Sequence, residues 1–590
     1  MVGSAAALSI AQEAAADLSG LRIEVSRDVG FAPFGVIFQA RGLAEDVLMH
    51  GEFLWQFDDD YSFAGVDWAL RPSIDAGRAR GPAAAHVFPR PGTYRVRLSV
   101  STTGGTTGAE IIVRVLRPDR LLGGQRTLYY SATGRFDGVP ARAPRFTDLQ
   151  EALAAARALP PIEGTAGGPR ARVLLRAGET SVLQTSLSIG GIILDRFGDG
   201  PDPILLPDPE TFIGPSTDFL HRRALLLVSH PAGAIGTTVA NIRLEGDYRP
   251  EDPPPVPDAS IHVMGFAQSF VPDQPLRHTT FFRVTTQGIG LNLLTGEDTI
   301  LADCEIRDWH FYGLYGHGER HAVVGCRLLQ HPDATRGPGE RAVNDPAFRN
   351  HAEQGPVRSG YNDLAVYAQN VMRSTSGWSR WFDGFAIQPV IRSHGGPGSR
   401  AYFTENHLEG GALIVGQDAT ADHGHVVDAA NVYVGSGETA TCLGSGCARH
   451  VVRNSLFLIE DRTDPWPELG GITLFEVGRA PAPAEDGQSS APWLFSAYAN
   501  TAVVRLPESR DLSILRQDPG RPNVLLFDTL VLAEGVSNAK VFGSPDSLGP
   551  GFRPPVDAPQ AKGRNGINAL IDFRGAERTS LSKVGAIATP

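Results

Sequence analysis

Seven short runs in the C-terminal part of this chain repeat one pattern: FFRV, ADCEI, VGCRL, AQNVM, TENHL, AANVY and VRNSL. Aligned at Phe282, Cys304, Cys326, Asn370, Asn406, Asn431 and Asn454, each run carries an apolar residue two positions further on. The first two intervals are 22 residues, the third is 44, or two periods, and the last three are 36, 25 and 23. A period near 22 with insertions is the signature of a solenoid. Strands this short cannot bury a face alone. Stacked as parallel rungs about 4.8 Å apart, they can. The interior then becomes rows of like residues. Asn370, Asn406, Asn431 and Asn454 are expected to form an amide ladder, a structural role rather than a catalytic one. Cys304 and Cys326 become stacked neighbours, close enough for a disulfide and equally suited to be buried thiols.

Composition narrows the class further. The chain has 590 residues, which predicts more than one domain. With 42% hydrophobic and 20% charged residues it is not globally disordered, and 67 Gly with 44 Pro suit a turn-rich β protein. The net charge of -12 argues against a nucleic-acid partner. Lysine occurs only at Lys540, Lys562 and Lys583, which excludes any mechanism needing one in mid-chain. Positive charge is nearly all arginine, the residue that grips carboxylates with a flat fork. No run of 18 apolar residues predicts a membrane span. The start, MVGSAAALSIAQEAAADLSG, lacks a basic region and is broken by Gln12 and Glu13, so it does not read as an intact signal peptide. Cys442 and Cys447, in the Gly-rich TCLGSGC, suit a small-loop disulfide and an oxidising location.

Residues 20–117 carry alternating runs, LRIEV and FGVIF, then FLWQFDDD, HVFPRPGTYRVRLSV and IIVRVL. Short strands with turns between them predict a β-sandwich. Ala32-Pro33, Trp55-Gln56-Phe57-Asp58, and His86-Val87-Phe88 followed by Pro91-Gly92-Thr93-Tyr94 resemble the landmarks of a PKD-type (polycystic kidney disease) domain. The W-x-F-G-D-G of that family is W-Q-F-D-D-D here. The resemblance implies a spacer, or a module contacting carbohydrate or protein on an extracellular protein. The run Asp58 to Asp60 is a candidate Ca2+ site, with a solvated turn as the plainer reading.

Residues 125–590 open with LYYSATGRFDG, a helix FTDLQEALAAARAL (146–159) with Thr147 and Gln150 at capping-box spacing, and a strand RVLLRAG (172–178). With the repeat, this resembles the right-handed parallel β-helix of the pectate-lyase-like superfamily. The resemblance implies that the helix plugs the open end of the stack, where bare strand edges would otherwise be exposed. IDFRGAERTSLSKVGAIA (571–588) resembles a closing segment. The expected fold is therefore all-β: a PKD-like sandwich plus a large right-handed parallel β-helix capped by a short α-helix.

That superfamily commonly binds polysaccharide in a groove walled by long loops. Two insertions are candidates for those walls, 331–360 and 373–400, leaving neighbouring coils. The second holds Trp378, Trp381, Asp383, Arg392, His394 and Arg400. Tryptophan suits sugar stacking, and arginine suits uronate carboxylates. For β-elimination on an acidic polysaccharide we assign His394 as base, Arg392 or Arg400 as charge neutraliser and Tyr361 as assisting acid. Trp378, Trp381, Asp383, Glu405, His407 and Arg358 are the substrate-binding candidates. Their plainer readings are loop packing and solvated charge. A glycoside hydrolase needs paired carboxylates, and Asp298, Asp303 and Asp308 are spaced by five rather than paired. Gly316-His317-Gly318 resembles the G-H-G of polygalacturonase-type enzymes, but that family's R-x-K is impossible here. The readings held open are an extracellular lyase, a β-helix glycoside hydrolase, a glycan-binding surface or virion spike that forms homo-oligomers, and an adhesive scaffold. The expected partner is a polysaccharide or surface glycan at the cell exterior or virion surface.

Overall fold

A computed structural model describes residues 17–61, 77–102, 104–162, 168–212, 224–229, 236–249, 263–268, 276–309, 312–330, 355–360, 363–373, 389–393 and 399–409, then strand segments between 412 and 548. The fold is all-β. No helix among these residues is long and apolar enough to cross a membrane.

The N-terminal unit is a two-sheet sandwich. One sheet is antiparallel, Arg22–Val25, Phe34–Arg41 and Ala83–Phe88. The other orders Val29–Phe31, Gly105–Leu116, Gly92–Thr102, Glu52–Gln56 and Arg78–Arg80. Alternation sends Val96, Leu98 and Val100 inward to meet Phe38, Phe53 and the fully buried Trp55. The Trp55 indole N–H donates to the Gly81 carbonyl at 2.8 Å, so burying this large ring leaves no orphan donor. The acidic turn is engaged by side chains of its own unit. Asp59 is buried against His86 Nε2 at 2.9 Å, and Arg90 pairs with Asp60. An imidazole and a guanidinium hold the Asp59 and Asp60 carboxylates, and no group of three or more His, Cys, Asp or Glu able to hold a metal ion occurs among the described residues.

The second unit is a parallel β-helix. Strands from successive turns pair in parallel from Thr127–Tyr130 to Leu530–Ala533. Each turn contributes to three sheets. For one turn these are Thr299–Ala302, Glu305–Arg307 and Tyr312–His317. Asp298, Asp303 and Asp308, with φ of 55°, 53° and 52°, occupy the three corners of that turn. Five-residue spacing therefore marks short strands between left-handed corners, which Asp tolerates better than most residues.

The interior ladder is present. Asn370 Nδ2 donates to Asn406 Oδ1 at 2.9 Å, and Asn406 Nδ2 donates to Asn431 Oδ1 at 3.0 Å. Each amide also reaches back to a carbonyl, Val323, Tyr367 or Phe403, at 2.8 Å. Cys326 N donates to Asn370 Oδ1 at 2.9 Å, so the ladder continues the cysteine row. Cys304 and Cys326 are buried free thiols on adjacent turns, and burial raises the Cys326 pKa. Two details of the alignment change. Phe282 pairs with Ala302, so Val284 belongs to the cysteine row. Arg327 pairs directly with Val371, so the 44-residue interval is one enlarged turn and not two. Asn454 lies outside the described residues. Cys442 lies outside them too.

The helix Leu149–Ala158 packs Leu149, Ala152, Leu153 and Ala156 onto the first turns of the stack. Its N-cap is Asp148, which accepts from Glu151 N, one residue later than the Thr147 expectation. Gln150 instead donates to Thr185 and Ser186 on the neighbouring turn.

The two units share a core. Ile37, Ala83, Ala85 and Val87 of the sandwich pack on the outer face of the first helix sheet, against Phe282, Ile300, Ala322, Val324, Val366 and Tyr402. Gly35 is required there: a Cβ would stand 2.6 Å from Thr280 Oγ1 and 2.9 Å from Ile300 Cδ1. The sandwich is thus seated on the helix over these turns.

Candidate functional site

Polar groups meet along both borders of the sandwich seat. At the corner between the first and second sheets, Glu405 (φ 58°) pairs with Arg80 Nε at 3.1 Å and accepts from Gln369 Nε2 at 3.0 Å. Gln369 Nε2 also donates to the Arg78 carbonyl at 3.0 Å. One turn series earlier, Tyr61 donates to Asp303, and Arg283 Nε donates to Asp303 Oδ2 at 3.0 Å. Burial beside Asp303 raises the Tyr61 pKa. These groups fasten the sandwich. Glu405, a substrate-binding candidate, lies buried in this clasp. His407 is also buried, on the second sheet beside Val371, and offers no surface to a sugar.

The opposite border, between the third and first sheets, is built differently. His278 (φ 59°) and Asp298 (φ 55°) are left-handed corner residues on adjacent turns, joined by His278 N donating to the Glu297 carbonyl at 2.9 Å. His278 Nδ1 lies 3.2 Å from Asp298 Oδ2. Arg320, from the next turn, donates Nε to Asp298 Oδ1 at 2.6 Å and Nη2 to Asp298 Oδ2 at 2.9 Å and to Glu297 Oε1 at 2.6 Å. Arg277 Nε pairs with Glu297 Oε2 at 2.8 Å.

Burial first, and then the Arg27 charge, push the His278 pKa down to about 3, so the ring is neutral. Facing a carboxylate, Nδ1 carries the hydrogen and Nε2 the lone pair. Nε2 has no hydrogen-bond partner among the described residues, and 15% of the His278 side chain is exposed. An imidazole oriented by a carboxylate, with its other nitrogen available, accepts a proton only once a bound anionic group offsets the burial and guanidinium charge that hold its pKa down.

The sequence candidates distribute as follows. Arg358 and Arg392 are direct register partners on the third sheet, with Tyr315 one turn earlier in the same row. Arg400 lies on the first sheet beside Leu364, its N donating to the Asp363 carbonyl at 2.9 Å. Arg392 and Arg400 therefore flank the same third-to-first border that holds His278 several turns earlier. His394, Tyr361, Trp378, Trp381 and Asp383 lie outside the described residues. The two insertions both leave from the corner between the second and third sheets, on consecutive turns. His278, Asp298, Arg320, Arg277 and Glu297 were missed. The available signal was that RH at 277–278 and ED at 297–298 each immediately precede a repeat strand, one short period apart.

No family model and no curated protein matches the chain. Among solved structures it is similar to the native GH136 lacto-N-biosidase from Eubacterium ramulus, at 12% identity and a TM-score of 0.37, over 69% of this chain and 68% of that one. The selenomethionine derivative of that protein gives 12% identity and a TM-score of 0.30, over 71% and 69%. Likeness at this level carries no argument about chemistry, so the reading below stands on the seam's own geometry.

Proposed function

We propose that this chain is a carbohydrate-active β-helix protein that processes an acidic polysaccharide, with the His278 seam as its reactive centre. The observation that carries the reading is the His278–Asp298 dyad, whose Nε2 has no partner among the described residues, with Arg320 bonded to the same Asp298 and Arg277 to the neighbouring Glu297. In β-elimination, Nε2 takes the C5 proton of a uronate. The C–H electron pair becomes the C4–C5 double bond, the C4–O bond breaks, and the leaving oxygen takes a proton from water, the His278 imidazolium returning its proton to solvent. Guanidinium charge offsets the enolate that develops on the carboxylate. A hydrolase would need a carboxyl group able to donate a proton. Glu297 and Asp298 are both committed to Arg320, which favours elimination over hydrolysis at this seam. The PKD-type assignment of the sandwich, the pectate-lyase-like assignment of the helix and an extracellular location belong to the same reading.

The test is incubation with a panel of uronate polymers, following new double bonds by ultraviolet absorbance and new reducing ends in parallel. Wild type is expected to generate both signals together on at least one polymer. His278→Gln is expected to abolish them with unchanged thermal unfolding. Reducing ends without double bonds would replace elimination by hydrolysis. Polymer binding without either signal would make the chain a glycan binder.

A further inference from the structure

Arg27 belongs to the sandwich, yet its charge acts on the helix seam. It sits in the turn between strands Arg22–Val25 and Val29–Phe31. Ser26 fixes that turn: its N donates to the Ile37 carbonyl at 2.9 Å, and its Oγ accepts from Ile37 N at 3.0 Å. The guanidinium lies over the Phe34 ring, with Cζ 5.0 Å from the centroid. Phe34 is placed in turn by Gly30, where a Cβ would stand 2.0 Å from the ring.

Arginine is rarely left idle when desolvated. Arg277 and Arg320 have carboxylate partners. Arg27 has no hydrogen bond or ion pair among the described residues, and its Nε is buried without an acceptor. Burial lowers its pKa to about 10, with Asp298 acting in opposition. A desolvated fork held over Phe34 with its Nε unfilled, whose charge reaches the His278–Asp298 dyad, is complementary to an anionic group.

We propose that Arg27 is an anion receptor lent to the seam by the sandwich, and that it takes one carboxylate of the glycan beside His278. This deepens the reading above and rests on it for the identity of the ligand. It gives the sandwich a role in recognition, since neither unit alone holds both Arg27 and His278.

The full-length protein, carrying 15N-labelled histidine, is titrated with glucuronate, inorganic sulfate and glucose. Wild type, Arg27→Met and Arg27→Lys are compared, and the His278 signal is assigned by its loss in His278→Gln. Charges facing the ring are Arg27 from the sandwich and Arg277, Glu297, Asp298 and Arg320 from the helix, with Glu319 at the rim. Glucuronate is expected to shift the His278 signal in wild type, and glucose is not. Arg27→Met is expected to weaken glucuronate by about tenfold, the effect of losing a charge-assisted pair. Arg27→Lys, which keeps charge but not the fork, is expected to fall between the two. Undiminished glucuronate binding in Arg27→Met, or no His278 shift in wild type, overturns the proposal. Sulfate binding as tightly as glucuronate overturns the carboxylate assignment. A protein that binds glucuronate through Arg27 yet leaves every uronate polymer intact retains this site and loses the reaction. Polymer cleavage at an unchanged rate in Arg27→Met does the reverse.

Discussion

Two borders of one sheet, built from the same kind of left-handed corner residue, have opposite characters. At the border with the second sheet, Glu405, Gln369, Asp303 and Arg283 each bond a sandwich group, Arg80, Arg78 or Tyr61, as well as one another. At the border with the third sheet, His278 and Arg27 keep unfilled nitrogen atoms. The same local geometry therefore serves fastening on one side and availability on the other. What separates them is whether a partner from the sandwich fills each donor and acceptor.

That contrast can be broken most severely at the clasp. Arg80→Met leaves Glu405 buried with its guanidinium partner removed, which is expected to cost about 4 kcal/mol of unfolding free energy in a urea titration. An unchanged midpoint would mean the clasp does not fasten the sandwich. Next comes the ladder beneath it. Asn406→Leu strands the Tyr367 carbonyl and removes the amide links to Asn370 and Asn431, at an expected cost of about 3 kcal/mol.

The open border should show itself through pH. His278 binds its proton far less readily folded than unfolded, so its share of stability is complete above pH 6.5 and declines as pH falls toward 3. Between pH 7 and pH 5 the expected loss is about 2 kcal/mol. His86, whose burial also lowers its pKa, acts in the same direction. The His278→Gln variant isolates the seam's share, and an unaltered pH slope in that variant contradicts the account. The smallest effect concerns the seat between the borders. Gly35→Ala forces a Cβ against Thr280 and Ile300 and is expected to cost about 1 kcal/mol by thermal unfolding.

Much of the scaffold was legible because it is periodic. The asparagine row follows from spacing alone, since an interior amide stacked every turn must bond its neighbour and a carbonyl. The alternation in TYRVRLSV likewise marks one buried face, on which Val96 and Leu98 lie. The seat was not legible. Ile37, Ala85 and Val87 look like ordinary strand residues, and nothing local says that their outward face meets another sheet. The seam stayed hidden for the same reason: Arg27 and His278 are 251 residues apart and meet only because the units dock. Long loops rich in Trp and Arg look like binding walls, whereas corner residues look like turns. Five-residue spacing pairs Asp298 with no second carboxylate. Its partner is a histidine one turn away.

The most direct test is to find where the proton of His278 resides, using 15N chemical shifts of labelled histidine from pH 4 to pH 8. The account predicts a neutral ring throughout, with hydrogen on Nδ1 and a bare Nε2. A ring that protonates near pH 6.5, or one whose hydrogen sits on Nε2, would contradict it.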